Sequence, residues 1–522
     1  MRDFIARHAK TVIGTLCGFD RLVFRGTLRL LAHRGGMMNY LGSMGVLLKD
    51  FAAHAQAMSE RLKEASLAEA QHNGRPVRYL SSTAISKEEV ARQIAGTEGI
   101  EQGLICVLKA VEPCLSYEIV AKRRERVIDL EPRRRKCLHL YHYQNHPLFG
   151  FMHARIQTWF PFAIQVCING REWLARMMDQ AGLAYVQRDN CFVWLQDPVA
   201  AQRLMDQQLR TAWPEALDAV GRNLNPAHAA MFAARPIDYY WTTYQSEWAS
   251  DILFRDAEAL AGLYPRFVHH GLTTFLSPDV MRFLGRNVPA SGRLPPALKA
   301  DVVSDLKRRP EGVRIKHRLG DNSIKMYDKQ GSVLRIETTI NDAADFKAYR
   351  KPEGKPQAPM SWHVMRKGIA DLKRRADVSQ AANERYLQAL GSVEDTTSLG
   401  QLAARLCRPI QRNGRRLRAL NPYAPADAEL LQAISLGQFN INGFRNRDLR
   451  HLLFADEPLS KQHQRRQAAA ISRKLALLRG HGLIRKVAGT HRYHLTEQGR
   501  TIVTALLTAR NSSTDVLTKL AA

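Results

Sequence analysis

Hydrophobic positions along the chain change their period several times, and each change marks a different kind of element. From Phe19 to Leu195 short apolar runs (Leu22–Phe24, Leu104–Leu108, Cys137–Tyr143, Phe162–Ile168) alternate with amphipathic stretches such as Glu172–Ala181. That alternation predicts an α+β or α/β region. Leu204–Ala233 reads as an interrupted helix, and Tyr239–Tyr264 as a second helical stretch with Glu247 and Asp251 one turn apart on one face. Two carboxylates so spaced suit either a divalent metal or ordinary pairing with Arg, Lys or solvent. Gly285–Pro296 is too rich in proline and glycine to continue an element, Lys351–Pro359 marks a boundary before a helical pattern from Trp362 to Leu390, and Asn421–Ala426 is a further polar break. The expected organisation is therefore an α+β chain: a basic mixed α/β body with antiparallel sheet over 1–200 and 201–350, a helical connector over 351–425 and a terminal helical and hairpin domain over 426–510. A length of 522 residues suits several domains of about 150 residues each.

Strict period-two alternation appears in Gly312–Ile340. Val313 and Ile315 alternate with Arg314, Lys316 and Arg318; Ile324 and Met326 with Lys325, Tyr327 and Lys329; Leu334 and Ile336 with Arg335 and Glu337. Each strand then has one oily and one charged face. A tight Gly320-Asp321 turn sets Lys316 opposite Lys325, Arg314 opposite Tyr327 and Ile315 opposite Met326. A three-residue turn through Gln330, Gly331 and Ser332 sets Tyr327 opposite Arg335 and Met326 opposite Ile336. The predicted three-stranded meander gathers Tyr327, Arg314, Lys316, Lys325, Arg335 and Glu337 on one face, a constellation suited to phosphate.

Near the end of the chain the period returns to that of helices. Asp427–Ile434 opens a helix, Asn446 stands at an N-cap before Leu449, Leu452 and Leu453, and Gln464–Arg479 has Ile471, Leu475 and Leu478 facing inward. Leu483–Val487 and His491–Leu495 form a hairpin, and Thr496 caps a closing helix with Ile502, Val503, Leu506 and Leu507 inward. The order is that of a winged helix-turn-helix. Its third helix and wing carry Arg465, Arg466, Arg473, Lys474, Arg485, Lys486 and Arg492, the cations expected to meet DNA.

Charge strengthens this picture. Lys and Arg total 77 against 49 Asp and Glu, a formal net charge of +28, which calls for a polyanion such as DNA or RNA, with a membrane surface as the lesser alternative. No long apolar run appears, and the first residues carry Asp3, Arg7 and Lys10, so a cytoplasmic, nucleoid-associated protein with no membrane partner is expected. Seven scattered cysteines without a Cys-x-x-Cys pair read as buried thiols. The basic runs Lys122–Arg126 and Arg133–Lys136 are expected on loops or hairpin ends, either solvated or against phosphate.

The stretch LRGHGLIRKVAGTHRYHLTEQG, Leu478–Gly499, resembles the winged helices of MarR-like bacterial regulators. That likeness implies the fold and either DNA contact or a protein-protein role. SIKMYDK, Ser323–Lys329, followed by LRIETTI, Leu334–Ile340, resembles the tyrosine rolling-circle replication initiators of small plasmids and filamentous phages. The resemblance implies that Tyr327 cuts one DNA strand and stays attached, with Arg314, Lys325 and Arg335 around it. It further implies that Glu337 and an acid from an early strand, here Asp20 at the beginning of the strand in GFDRLVFRG, Gly18–Gly26, bind Mg²⁺ or Mn²⁺. Lys316, Arg318 and Lys329 would contact nucleic acid. The whole chain also resembles bacterial proteins carried in several copies per genome, which implies a mobile-element character.

A tyrosine keeps its proton to about pH 10 in water, so attack on a phosphodiester needs nearby cations or a metal. The alternative for Tyr327 is membership of a binding sheet without chemistry. His139, His142, His146 and His153, interleaved with Tyr141, Tyr143, Phe149 and Phe151, offer either a base-stacking platform or strand packing. His269 and His270 sit on an expected strand and point apart. No phosphate loop or serine elbow appears, which argues against a nucleotide motor or a serine hydrolase. Two functions stay open: a mobile-element or replication protein that nicks single-stranded DNA, and a non-catalytic transcriptional regulator or nucleic-acid scaffold. A homodimer is compatible with both.

Overall fold

The computed structural model describes residues 1–514 apart from 83, 123–126, 276, 287–301, 353, 356, 392–398, 413, 437–438, 440–442 and 455–459. The expected connection Gly285–Pro296 and the basic run Lys122–Arg126 lie mostly outside the described residues. The class is α+β. The chain divides into two compact units, Gly14–Ala249 with Arg366–Lys373, here the ribbon unit, and Met1–Ile13 with Ser250–Met365 and Arg374–Ala522, here the meander unit.

The ribbon unit is built on β1 (Val12–Leu28), β2 (Val77–Tyr79), β3 (Gly103–Lys122), β4 (Val127–His146), β5 (Gly150–Gln157) and β6 (Ile164–Asn169). A small hairpin of β7 (Tyr185–Gln187) and β8 (Phe192–Leu195) lies apart from this sheet, and β9 (Tyr239–Phe254) contributes its first residues to the sheet. The strand order is β9-β1-β6-β5-β4-β3-β2, with β2 parallel to β3 and the pairs from β1 to β3 antiparallel.

Two sequence expectations are corrected here. Asp20 stands in the middle of β1 and not at its start, because the strand continues back through Gly14 and Gly18. Those glycines weaken a strand signal, yet a Cβ at Gly18 would meet Met205 at 2.3 Å and one at Gly14 would meet Pro198 at 2.5 Å. Tyr239–Phe254 is a strand and not a helix. Its tyrosines, tryptophans and threonines favour strand, and unbroken burial from Ser246 to Phe254 hides the two-residue period.

The meander unit carries β10 (Val302–Arg309), β11 (Gly312–Leu319), β12 (Asn322–Lys329) and β13 (Val333–Ile340), in the order β10-β11-β12-β13-β9. The register is the one expected: Arg314 opposes Tyr327, Lys316 opposes Lys325, and Tyr327 opposes Arg335. The meander gains a fourth strand, β10, whose mostly exposed residues gave no hydrophobic period. Its oily face, Ile315, Ile324, Met326, Leu334 and Ile336, packs with Tyr264, Phe267, Val280, Tyr386 and Leu390. These come from helices Tyr264–Thr273, Ser277–Phe283 and Leu372–Gly391. His269 and His270 therefore lie on a helix, not a strand. The helix expected from Trp362 starts at Leu372, since Ser361–Val364 forms β15 against β14 (Lys347–Arg350).

After the small hairpin of β16 (Ile410–Arg412) and β17 (Arg415–Leu417) come helices Pro425–Ile434, Asn446–Leu453 and Lys461–Gly480. The hairpin of β18 (Ile484–Lys486) and β19 (Tyr493–Leu495) and helix Glu497–Asn511 complete the helix, helix, helix, wing, helix order. Leu449, Ile471, Leu475, Leu478, Ile502, Val503 and Leu506 share one core. Thr496 Oγ1 accepts from the Gly499 amide at 2.9 Å, the expected cap. Arg445, not Asn446, is the N-cap of the second helix; Asn446 Nδ2 donates to Ala468 O at 2.8 Å, tying that helix to the third.

Candidate active site and nucleic-acid interface

Strand parity brings Tyr327, Arg314, Lys316, Lys325, Arg335 and Glu337 to one face of the meander. This face is not the open basic surface the sequence suggested. Lys325, Arg335 and Glu337 are buried, and every cation of this set except Lys316 has an acid: Lys325 Nζ lies 2.5 Å from Glu337 Oε1, and Arg314 Nη2 donates to Asp305 Oδ1 at 2.9 Å. Arg335 is held in two places by Asp251. Charges in a low-dielectric interior survive only when so paired.

Exposure rises across the face. Arg335 on β13 is 1% exposed and Tyr327 on β12 is 7% exposed, while Arg314 and Lys316 on β11 are half-buried and Arg318 is exposed. Burial works against the charge of Arg314, but Asp305 and the neighbouring Tyr327 outweigh it and raise the pKa. Lys316 has no acid within ion-pair distance among the described residues. Burial, and then Lys325 and Arg314 nearby, lower its pKa, which marks a place where an anion is favoured. Lys329 is buried, 3.9 Å from Glu311, with its ammonium 5.4 Å from the Tyr327 ring centre.

The ribbon unit holds Asp20, 4% exposed. Its Oδ2 accepts from Asn190 Nδ2 at 2.8 Å, and Arg171 Nε lies 3.6 Å from Oδ1. Asn169 caps the helix Gly170–Ala181, and Gly170 lets its first turn press on β1: a Cβ there would meet Phe19 O at 1.6 Å. That approach sets the fully buried Arg171 beside Asp20. Asp20 and Glu247 are both buried and offer carboxylate oxygens within 4.8 Å of each other. Glu247 and Asp251 were expected on one face of a helix, either holding a divalent metal or paired with Arg, Lys or solvent. On a strand the two share a face but stand about 13 Å apart, so one ion cannot bridge them. Asp251 pairs with Arg335, the alternative of ordinary pairing with Arg or Lys.

In the winged helix Arg465, Arg466, Arg473, Arg485 and Lys486 are exposed and Lys474 is half-buried. Arg492 stacks over Tyr349, 4.7 Å from the ring centre, so its cation serves a contact inside the unit. His139, His142, His146 and His153 lie on β4 and β5, where burial lowers their pKa values, to about 4 for His139, His142 and His153. His142 Nε2 meets Ser66 Oγ at 2.9 Å. This is strand packing and not a stacking platform. Arg133–Lys136 lie within β4 and are exposed there, not on a loop. No helix among the described residues is long and apolar enough to cross a membrane. No family model, curated protein or solved structure matches the chain.

Proposed function

We propose that this chain is a DNA-binding protein of a mobile-element or replication type that nicks single-stranded DNA through Tyr327. The observation that carries the reading is the register that sets Arg314 directly opposite Tyr327, beside a Lys316 that lacks an acid among the described residues. A guanidinium beside the phenol favours the phenolate, and Lys316 and Arg318 on the more open side receive the phosphate strand. In the reaction Tyr327 Oη bonds to phosphorus while the bond from phosphorus to one deoxyribose oxygen breaks. The phenol proton passes to solvent, and the departing oxygen gains a proton.

Asp20 and Glu337 are the carboxylates the resemblance proposes for Mg²⁺ or Mn²⁺, and within the ribbon unit Glu247 lies beside Asp20. Asp20 and Glu247 suit these ions, since both are buried and offer oxygen alone. The bound ion would draw charge from the phosphoryl oxygens. The winged helix, through Arg465, Arg466 and Arg473, is proposed to hold duplex DNA as a monomer or homodimer, giving a nucleoid-associated protein.

One observation favours a non-catalytic regulator or RNA or DNA scaffold instead: Lys325 and Arg335 are already neutralised by Glu337 and Asp251. Incubation with a labelled pool of single-stranded DNA and Mn²⁺ separates the two. A denaturant-resistant protein-DNA adduct, absent in Tyr327→Phe, is expected. No adduct across the pool, or an adduct that persists in Tyr327→Phe, overturns the nicking reading.

A further inference from the structure

We propose that the distal half of the β3–β4 hairpin is a second DNA-binding element, a two-stranded arm that lies along the major groove of duplex DNA. The proposal rests on the DNA-binding reading but not on nicking by Tyr327. β5 pairs with β4 only from His139 to His146, and β2 pairs with β3 only from Val107 to Lys109. Beyond them the hairpin continues from the Val111-Leu138 pair to the Lys122-Val127 pair with no third strand among the described residues. Twelve residues per strand span about 40 Å; on the face of Arg134 the open stretch runs from the Val111-Leu138 pair to the Leu115-Arg134 pair, since Tyr117 and Leu130 farther along that face are buried.

This ribbon is anchored to its own unit. Tyr117 Oη donates to Leu31 O at 2.7 Å, Ser116 Oγ donates to Phe160 O at 3.0 Å, and Arg34 Nε donates to Asp129 Oδ1 at 3.0 Å. An isolated hairpin is marginal in water, so these anchors give the arm a fixed shape.

What the ribbon presents differs between its faces. On one, Arg133 lies 3.8 Å and Arg135 2.9 Å from Glu118, so these cations are partly neutralised. On the other, Arg134 opposes Leu115 and Lys136 opposes Pro113, flanked by Val111 and Pro132. All six residues are exposed, and neither Arg134 nor Lys136 forms an ion pair among the described residues. This face thus joins unneutralised cations to exposed apolar groups and has no carboxylate. A two-stranded ribbon fits a groove about 12 Å wide, where cations meet phosphates and guanine edges and apolar side chains meet thymine methyls. The net charge of +28 favours the same polyanion.

The full chain carrying Arg134→Ala and Lys136→Ala tests this by fluorescence anisotropy on a labelled duplex, in EDTA to prevent cleavage, across a salt series. Loss of two phosphate contacts is expected to reduce the slope of log K against log salt by about 1.8 and to weaken binding at low salt about tenfold or more. The Arg134→Lys variant should keep the slope, and Leu115→Ser should weaken binding with the slope unchanged. A slope and affinity equal to those of the parent chain overturn the arm, as does equal displacement of DNA by polyglutamate. Because no cleavage is read, an adduct at Tyr327 with a silent arm sinks this inference alone, and a binding arm without an adduct sinks only the nicking reading.

Discussion

Arg335 grips Asp251 with two hydrogen bonds, Nε to Oδ1 at 2.7 Å and Nη2 to Oδ2 at 2.9 Å, and both side chains are 1% exposed. The pair joins β13 to β9 and fixes the guanidinium that lies opposite Tyr327. Neither charge has access to water, so each depends on the other.

Asp251→Ala leaves Arg335 charged and without its carboxylate in the interior. A loss of about 3–5 kcal/mol is expected from urea unfolding. The double variant Asp251→Leu with Arg335→Met should recover most of that loss, since no charge is then buried. Equal stabilities for the parent and Asp251→Ala would show that the pair is solvated.

Gly170→Ala brings a methyl group into the Phe19 carbonyl, at 1.6 Å in the unrelaxed geometry. The helix must retreat from β1, carrying Arg171 away from Asp20. Overpacking of this kind costs about 1–3 kcal/mol. Gly42, on the helix Arg34–Ser43, has open space around its Cβ position, so Gly42→Ala should be neutral or stabilise by about 0.4–1 kcal/mol. The two unfolding midpoints should move in opposite senses or by clearly different amounts.

Where a segment alternates oily and charged residues, its structure was legible. The registers of β11, β12 and β13 followed from alternation and two glycine turns. The winged-helix order followed from helical spacing and the Thr496 cap. Legibility failed where burial removes the alternation, as in β9, or where glycine serves a tertiary contact, as in β1. At the candidate site the residues on the Tyr327 face were readable, but their neutralisation was not. Asp305 and Asp251 reach Arg314 and Arg335 from strands that the sequence pattern had left unassigned or read as helix.

Exposed Arg465 and Arg473 lie on the third helix of the winged fold, whereas Arg492 is stacked on Tyr349. Arg465→Ala with Arg473→Ala should leave the melting temperature nearly unchanged and lower the salt slope of duplex binding by up to about 1.8. Arg492→Ala should do the converse, losing about 0.5–1 kcal/mol of stability with little change in slope. The ranking reverses if Arg492 is the cation that meets DNA.

Acid should weaken the fold through its buried imidazoles. His139, His142, His153 and His317 all have their pKa values lowered to about 4, with burial as the largest cause. His317 is held neutral in the interior by Ser304 Oγ at 2.7 Å from Nδ1 and Tyr386 Oη at 3.0 Å from Nε2. In the unfolded chain these rings take up protons near pH 6.5, so between that value and about 4 the unfolded state binds more protons than the folded state. Stability is therefore fully present above pH 6.5 and falls as the pH drops through this window, by about 1.4 kcal/mol per pH unit for each ring. Urea unfolding at steps from pH 7 to pH 4.5 reads the slope. His142→Gln, which retains a partner for Ser66 and removes the titrating group, should reduce that slope by one ring's share; an unchanged slope would mean that His142 is protonated as readily in the folded chain as in the unfolded one.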